Sequence, residues 1–120
     1  MVIVDTSVWV AHLRGGHRRL EELLHDTQVM CHDFIVGELA CGNLKNRREI
    51  LDLLEALPRT PVLSQEEILY FVEHHALMGT GIGFVDAHLL ASAQLSRVPL
   101  WTLDNSLRRI TAKLGLSYQT

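Results

Sequence analysis

The chain opens with Val2-Ile3-Val4, a run that is apolar on both sides of a strand and too short for a helix. A strand with one face in water alternates apolar and polar residues. One that does not must be covered on both faces, which is the situation of a central strand in a parallel sheet with helices packed on it. Asp5 follows at once, and helical patterns come next at about Val8–Leu13 and Arg18–Asp26, divided by Gly15-Gly16. A strand, a sharp corner and a helix are thus the opening unit, and that unit belongs to the α/β class.

The remainder repeats the alternation. Val29-Met30-Cys31 is expected as a second strand, with Asp33 as the N-cap of a helix running to about Cys41 ahead of Gly42. Ile50, Leu53, Leu54 and Leu57 fall at helical spacing in a helix that stops at Pro58. Pro61-Val62-Leu63 reads as a weak strand, and Ser64 with Glu67 forms a capping box opening a helix through about Met78. Gly79, Gly81 and Gly83 make a turn, followed by a helix over about Val85–Leu95, a strand over Pro99–Leu103 and a helix over Ser106–Leu114. No repeat, low-complexity tract or linker divides the 120 residues. The expectation is one domain, residues 1–120, with a mainly parallel central sheet flanked by helices.

Composition narrows function mainly by exclusion. No apolar run reaches the roughly 20 residues of a membrane span, and Asp5 interrupts the first one. That stretch also lacks the basic leader and small-residue cleavage site of a signal peptide, so a cytoplasmic protein away from membranes is expected. Cys31 and Cys41 lie in apolar surroundings without CxxC spacing and read as reduced core residues. The net charge of −3 argues against binding nucleic acid by bulk electrostatics. The basic residues are nevertheless clumped, in Arg14-His17-Arg18-Arg19, Lys45-Arg47-Arg48 and Arg108-Arg109-Lys113. Such clumps are more often solvated faces than phosphate tracks. The seven histidines show no zinc-binding spacing.

Chemistry concentrates in four of the fourteen acids. Asp5 and Asp104 each follow a strand and precede a helix. In a parallel sheet such corners line the crevice where ligands bind. An Asp there is equally a favoured N-cap, and taken singly each stands at even odds. Asp86 lies in the first turn of its helix but shares a stripe with Leu89, Leu90 and Ala93. Glu38 sits mid-helix in Phe34-Ile35-Val36-Gly37-Glu38-Leu39-Ala40-Cys41, where no cap role is open to it and no Lys or Arg lies within a turn. Partial burial of an acid without a partner costs several kcal/mol, so such an acid is expected to be neutralised or to bind a cation. Four converging carboxylates would repel one another unless a cation joined them, and an all-oxygen site with room for water suits Mg²⁺ or Mn²⁺. Phosphate-ester hydrolysis is the natural chemistry of such a site.

Val-Ile-Val-Asp5-Thr6-Ser7-Val-Trp resembles the first motif of PIN domains, and especially of VapC toxins. Gly37-Glu38-Leu39-Ala40 resembles the second, and Gly81-Ile-Gly-Phe-Val-Asp86-Ala-His-Leu-Leu-Ala-Ser-Ala the third. Leu100-Trp-Thr102-Leu-Asp104-Asn-Ser-Leu107 is similar to the fourth, although many members carry an aromatic where Leu107 stands. All four occur in family order between residue 2 and about residue 114. The resemblance implies a PIN-like α/β/α sandwich and an acidic quartet of Asp5, Glu38, Asp86 and Asp104 that binds Mg²⁺ or Mn²⁺ and cleaves RNA. Asp5, Asp86 and Asp104 match metal ligands, with Glu38 and Asp104 completing the site directly or through water. Thr6, Ser7 and Thr102 match hydroxyls that orient the carboxylates, and local capping would explain them as well. The resemblance further implies a homodimer, an inhibitory VapB-like antitoxin and a structured RNA substrate such as tRNA or ribosomal RNA.

The remaining candidates favour packing. His88 faces about 200° around its helix from Asp86 by the ~3.6-residue period and is expected to take a packing or surface role instead of ligating. Gly79-x-Gly81-x-Gly83 does not follow a strand, so it is a turn or hinge and not a dinucleotide loop. Trp9 and Trp101 adjoin strand ends and are expected to fill the core. Two rivals remain: a phosphatase with Asp5 as nucleophile, and a catalytically inactive RNA- or protein-binding module of the same fold. Phosphatases that begin this way usually carry a second Asp two residues on, where this chain has Ser7.

Overall fold

A computed structural model of the chain describes residues 1–119, so only the last residue of the expected domain lies outside the described residues. In chain order the elements are β1 (Val2–Val4), α1 (Thr6–Gly15), α2 (Arg18–His25), β2 (Val29–Met30), α3 (Asp33–Ala40), α4 (Arg47–Ala56), α5 (Gln65–His74), α6 (Phe84–Ser96), β3 (Leu100–Trp101) and α7 (Asn105–Lys113). The sheet has the order β2-β1-β3, and both pairings are parallel. The fold is therefore α/β, a parallel sheet flanked by helices. All three residues of β1 are buried, as a strand covered on both faces must be.

The helices form where periodicity and capping place them. Helix α1 starts at Thr6, earlier than the apolar pattern suggests, because Asp5 caps it. It ends where Gly16 turns to φ 79°, a conformation that glycine adopts without steric cost. Helix α5 opens with the expected Ser64–Glu67 capping box but stops at His74, short of Met78. Helix α6 is buried continuously from Ala87 to Ala93, which makes it the helix at the centre of the fold. It packs on α5 and β3, while α1 packs on α3 and α3 on α4. Trp9 and Trp101 fill the core as expected.

Several local expectations are corrected. Pro61-Val62-Leu63 forms no strand. Proline has no N–H to give a ladder, Val62 is exposed, and the Pro61 carbonyl accepts a hydrogen bond from the Ser92 hydroxyl of α6 instead. The pairing occurs just upstream, in a parallel bridge between Cys31 and Arg59. Cys31 is a buried free thiol as expected, but Cys41, beyond the last turn of α3, is exposed. The N-cap of α3 is His32, not Asp33: the His32 Nδ1 accepts from the Phe34 N–H at 3.0 Å. Asp33 enters the first turn and pairs with Arg59 at 2.9 Å. Arg59 also reaches Glu55 and the Leu54 carbonyl, tying the end of α4 to the start of α3.

Because His32 Nδ1 must accept, the ring proton is assigned to Nε2, which is buried without a partner. Burial first, and then the neighbouring His88, push the His32 pKa down from 6.5 to about 4. Between those values the unfolded chain takes up a proton that the folded one refuses. Stability is therefore complete above pH 6.5 and falls as pH drops towards 4, by on the order of 3 kcal/mol in total. His32→Asn keeps a capping oxygen and removes the titration. Urea unfolding across this interval is expected to show a shallower pH dependence for the variant than for the natural protein.

Candidate active site

The site is built where β1 and β3 end. The Asp5 N–H still donates to the Trp101 carbonyl, at 2.8 Å, so the two strand ends leave the sheet side by side. Asp5 is 6% exposed, and its carboxylate is held entirely through one oxygen. Its Oδ2 accepts from the Ser7 hydroxyl and the Thr102 hydroxyl, both at 2.7 Å, and from the Ser7 N–H at 3.4 Å. A carboxylate only accepts, so both hydroxyl protons point at Asp5 and neither is left for the 3.3 Å contact between Ser7 and Thr102. Each hydroxyl in turn accepts a backbone N–H, Ser7 from Leu103 and Thr102 from Asp104, at 3.0 Å each. Three residues thereby staple the β1–α1 corner to the β3–α7 corner.

The other three acids are anchored in the same one-sided way. Asp104 caps α7, with its Oδ2 accepting the Leu107 N–H at 3.0 Å. Asp86 reaches back from the first turn of α6 to the Gly83 N–H, also through Oδ2, at 3.1 Å. Glu38 accepts the Thr6 hydroxyl on Oε1 at 2.8 Å, which ties α3 to the first residue of α1. Among the described residues, the second oxygen of every one of these carboxylates has no hydrogen-bond donor from the protein. The cap and the ligand roles left open for Asp5 and Asp104 do not exclude each other, because a carboxylate has one oxygen for each.

Glu38 corrects the sequence argument. It is exposed, not partly buried. Ile35, Val36 and Leu39 carry the inward face of α3, while Gly37 and Glu38 emerge on its outer side. Asp86 is half-buried at the end of the buried stretch of α6. Burial raises its pKa first; the Gly83 N–H opposes this, and the charges of Asp5, Asp104 and Glu38 raise it further. Asp5, Asp104 and Glu38 thus all lie near enough to act electrostatically on Asp86. His88 stays outside this group, buried with its ring edge-on to Phe34 and Phe84 at 4.7 and 4.6 Å.

Some features of the site carry no residue-type signal in the sequence. The backbone N–H groups of Gly83, Leu103 and Asp104 fix three of its side chains. Gly81, at φ 89°, stands so close to α7 that a Cβ would meet the Ser106 hydroxyl at 3.1 Å. The glycine turn that leads to Asp86 is therefore packed against the helix that Asp104 begins.

The donor set fits a hard divalent cation: carboxylate oxygens only, mutually repelling, one free oxygen on each. Among the described residues no three His, Cys, Asp or Glu side chains stand close enough to hold an ion as they are.

A family model for the PIN domain matches residues 2–113. Ribonuclease VapC32 of Mycobacterium tuberculosis, from strain H37Rv and from strain CDC 1551 / Oshkosh, is 44% identical over 118 residues, covering 98% of this chain and 95% of the relative. The chain belongs to the PIN-domain family, and within it to the VapC proteins. The crystal structure of PAE2754 from Pyrobaculum aerophilum shares the fold, with a TM-score of 0.62 at 15% identity over 95% of this chain and 88% of that one.

Two substitutions at this site should move stability in opposite directions. Thr102→Val removes a donor from a buried carboxylate and is expected to cost about 1–3 kcal/mol in urea unfolding. The raised pKa of Asp86 means that its ionised form is less favourable in the folded protein than in the unfolded one, so stability is lost as pH rises through that pKa. In metal-free buffer at neutral pH, Asp86→Asn is therefore expected to match or exceed the natural protein in melting temperature.

Proposed function

We propose that this single domain is the toxin of a toxin–antitoxin pair, an endoribonuclease that uses Mg²⁺ or Mn²⁺ to cleave structured RNA, tRNA or ribosomal RNA, in the cytoplasm. The observation that carries this reading is the one-sided anchoring of Asp5, Glu38, Asp86 and Asp104. Each uses one oxygen to fix its position and keeps the other for a ligand. The 44% identity to a protein named a ribonuclease supports the choice of RNA as substrate.

In this reading Asp5, Asp86 and Asp104 hold the ion. A bound ion would supply a water of lowered pKa and a positive charge opposite the developing charge on phosphate. Asp5 is the rigid member, since Ser7 and Thr102 fix its plane and leave Oδ1 to bind. Asp86, with its proton affinity raised first by burial and then by the charges of the other acids, is the member whose charge most needs neutralising before RNA approaches. Glu38, exposed and held by Thr6, sits on the solvent side and takes the proton released by the attacking water. Attack of a water oxygen on phosphorus would break the bond from phosphorus to the leaving ribose oxygen, which would take up a proton from solvent.

A VapB-like antitoxin is the inhibitory partner in this proposal. A homodimer is proposed as well, supported by Leu69, Tyr70 and Leu95, large apolar side chains exposed on α5 and α6.

The test is cleavage of end-labelled total tRNA and ribosomal RNA with Mg²⁺, Mn²⁺ or EDTA. Discrete products are expected with either metal and none with EDTA. Asp5→Asn and Asp86→Asn are expected to slow cleavage by roughly a hundredfold or more, beyond the 10–100-fold typical of residues that only support metal ligands. Metal-dependent products that survive both substitutions would defeat this assignment, and faster turnover of a chromogenic phosphate monoester would revive the phosphatase reading.

A further inference from the structure

Beside the acids, between α1, α3 and the loop that follows α3, lies a cleft of about 410 Å³. That is within the ~300–1,000 Å³ of ordinary small-ligand sites. Thr6 and Glu38 line it, so it opens directly from the reaction site. Its walls are aliphatic, from Val10, Leu13, Leu39 and Leu44. Arg14 and Lys45 stand on its lining, both exposed, and among the described residues neither makes an ion pair. Asn43 adds an amide with both donor and acceptor. Arg47 donates to the Gly42 carbonyl at 3.3 Å and holds down the loop that closes this end.

We propose that this cleft binds one nucleotide of the RNA next to the cleaved phosphate and so contributes to the choice of cleavage site. The proposal rests on the nuclease reading above. The chemistry calls for a ligand with a flat apolar face for the aliphatic walls, a hydrogen-bonding edge for Asn43 and an anionic group for Arg14 and Lys45. A nucleobase with its phosphate has all three. The charge pattern selects it further: on a chain of net charge −3, two unpaired cations beside an acidic mouth give an approaching phosphate backbone a place to settle. Arg14 and Lys45 thus act on binding, whereas the acids act on bond breaking.

The proposal is tested first without activity. Methyl-labelled, metal-free protein is titrated with each of the four nucleoside 5′-monophosphates and with ribose 5-phosphate. Methyl signals of Val10, Leu13, Leu39 and Leu44 are expected to move with at least one nucleotide, to stay in place with ribose 5-phosphate, and to respond less in R14Q/K45Q. If no nucleotide moves them at millimolar concentration, or the sugar phosphate moves them equally, the cleft does not read a base.

The second arm uses oligoribonucleotides spanning the mapped cut. R14Q/K45Q is expected to raise KM rather than lower kcat, and to flatten the slope of log KM against log salt by about 1 to 2. An abasic substitution at one position beside the cut is expected to slow the natural protein roughly tenfold. Unchanged KM and salt slope in the double variant would overturn the proposal. So would unaltered cleavage combined with lost inhibition by a VapB-like protein, which would assign the cleft to a protein partner. If the natural protein cleaves no RNA, the nuclease reading fails, and the methyl titration still decides what the cleft binds.

Discussion

The Asp5 carboxylate is the point on which the rest of the site depends. A nearly buried charge is tolerated only where donors surround it. Here Ser7 and Thr102 supply them from two strand-to-helix corners that are far apart in sequence and adjacent in space. Because both hydroxyls are committed to Asp5, their lone pairs are left to accept the N–H groups of Leu103 and Asp104. Sheet edge, helix start and carboxylate orientation are thus one hydrogen-bonded unit. That unit in turn positions Asp104, which caps α7, and Thr6, which holds Glu38. Groups linked this closely are expected to respond together, so a substitution at one should be felt at the others.

The arrangement divides labour within each carboxylate. One oxygen satisfies a helix N-terminus or a hydroxyl, which contributes to stability in any buffer. The other has, among the described residues, no hydrogen-bond donor from the protein. Burial first, and then the charges of Asp5, Asp104 and Glu38, raise the proton affinity of Asp86 in the free protein. In the proposed reading a cation would join carboxylates that otherwise repel one another.

Much of this was legible in the sequence, for identifiable reasons. Val2-Ile3-Val4 marks a central strand because apolar residues on both faces admit no other environment. Asp5 and Asp104 are readable because a strand, an acid and a helix in succession place the acid at the rim of a parallel sheet. For Glu38 the sequence points to the right residue for a partly wrong reason. Its neighbours in sequence are apolar, but its neighbours around the helix include Gly37 and solvent, so an unbroken apolar run overstated its burial. His32 was illegible as a cap because Asp33, a better cap by residue type, stands beside it; the Arg59 guanidinium draws that carboxylate elsewhere. The Pro61 strand and the burial of Cys41 failed for a common reason. Local composition does not report where a chain turns out of the core. The cleft beside Glu38 needs three elements brought together, and in sequence its cations were only members of two basic clumps.

The central claim is that these four acids form one divalent-cation site, and Mn²⁺ tests it most directly through its paramagnetism. In an amide correlation spectrum, substoichiometric Mn²⁺ should broaden the signals of residues 5–7, 38, 83–87 and 102–105 before all others, and excess Mg²⁺ should restore them. Broadening that begins elsewhere, such as at Glu21-Glu22 or Glu66-Glu67, with these four segments unaffected, would contradict the account.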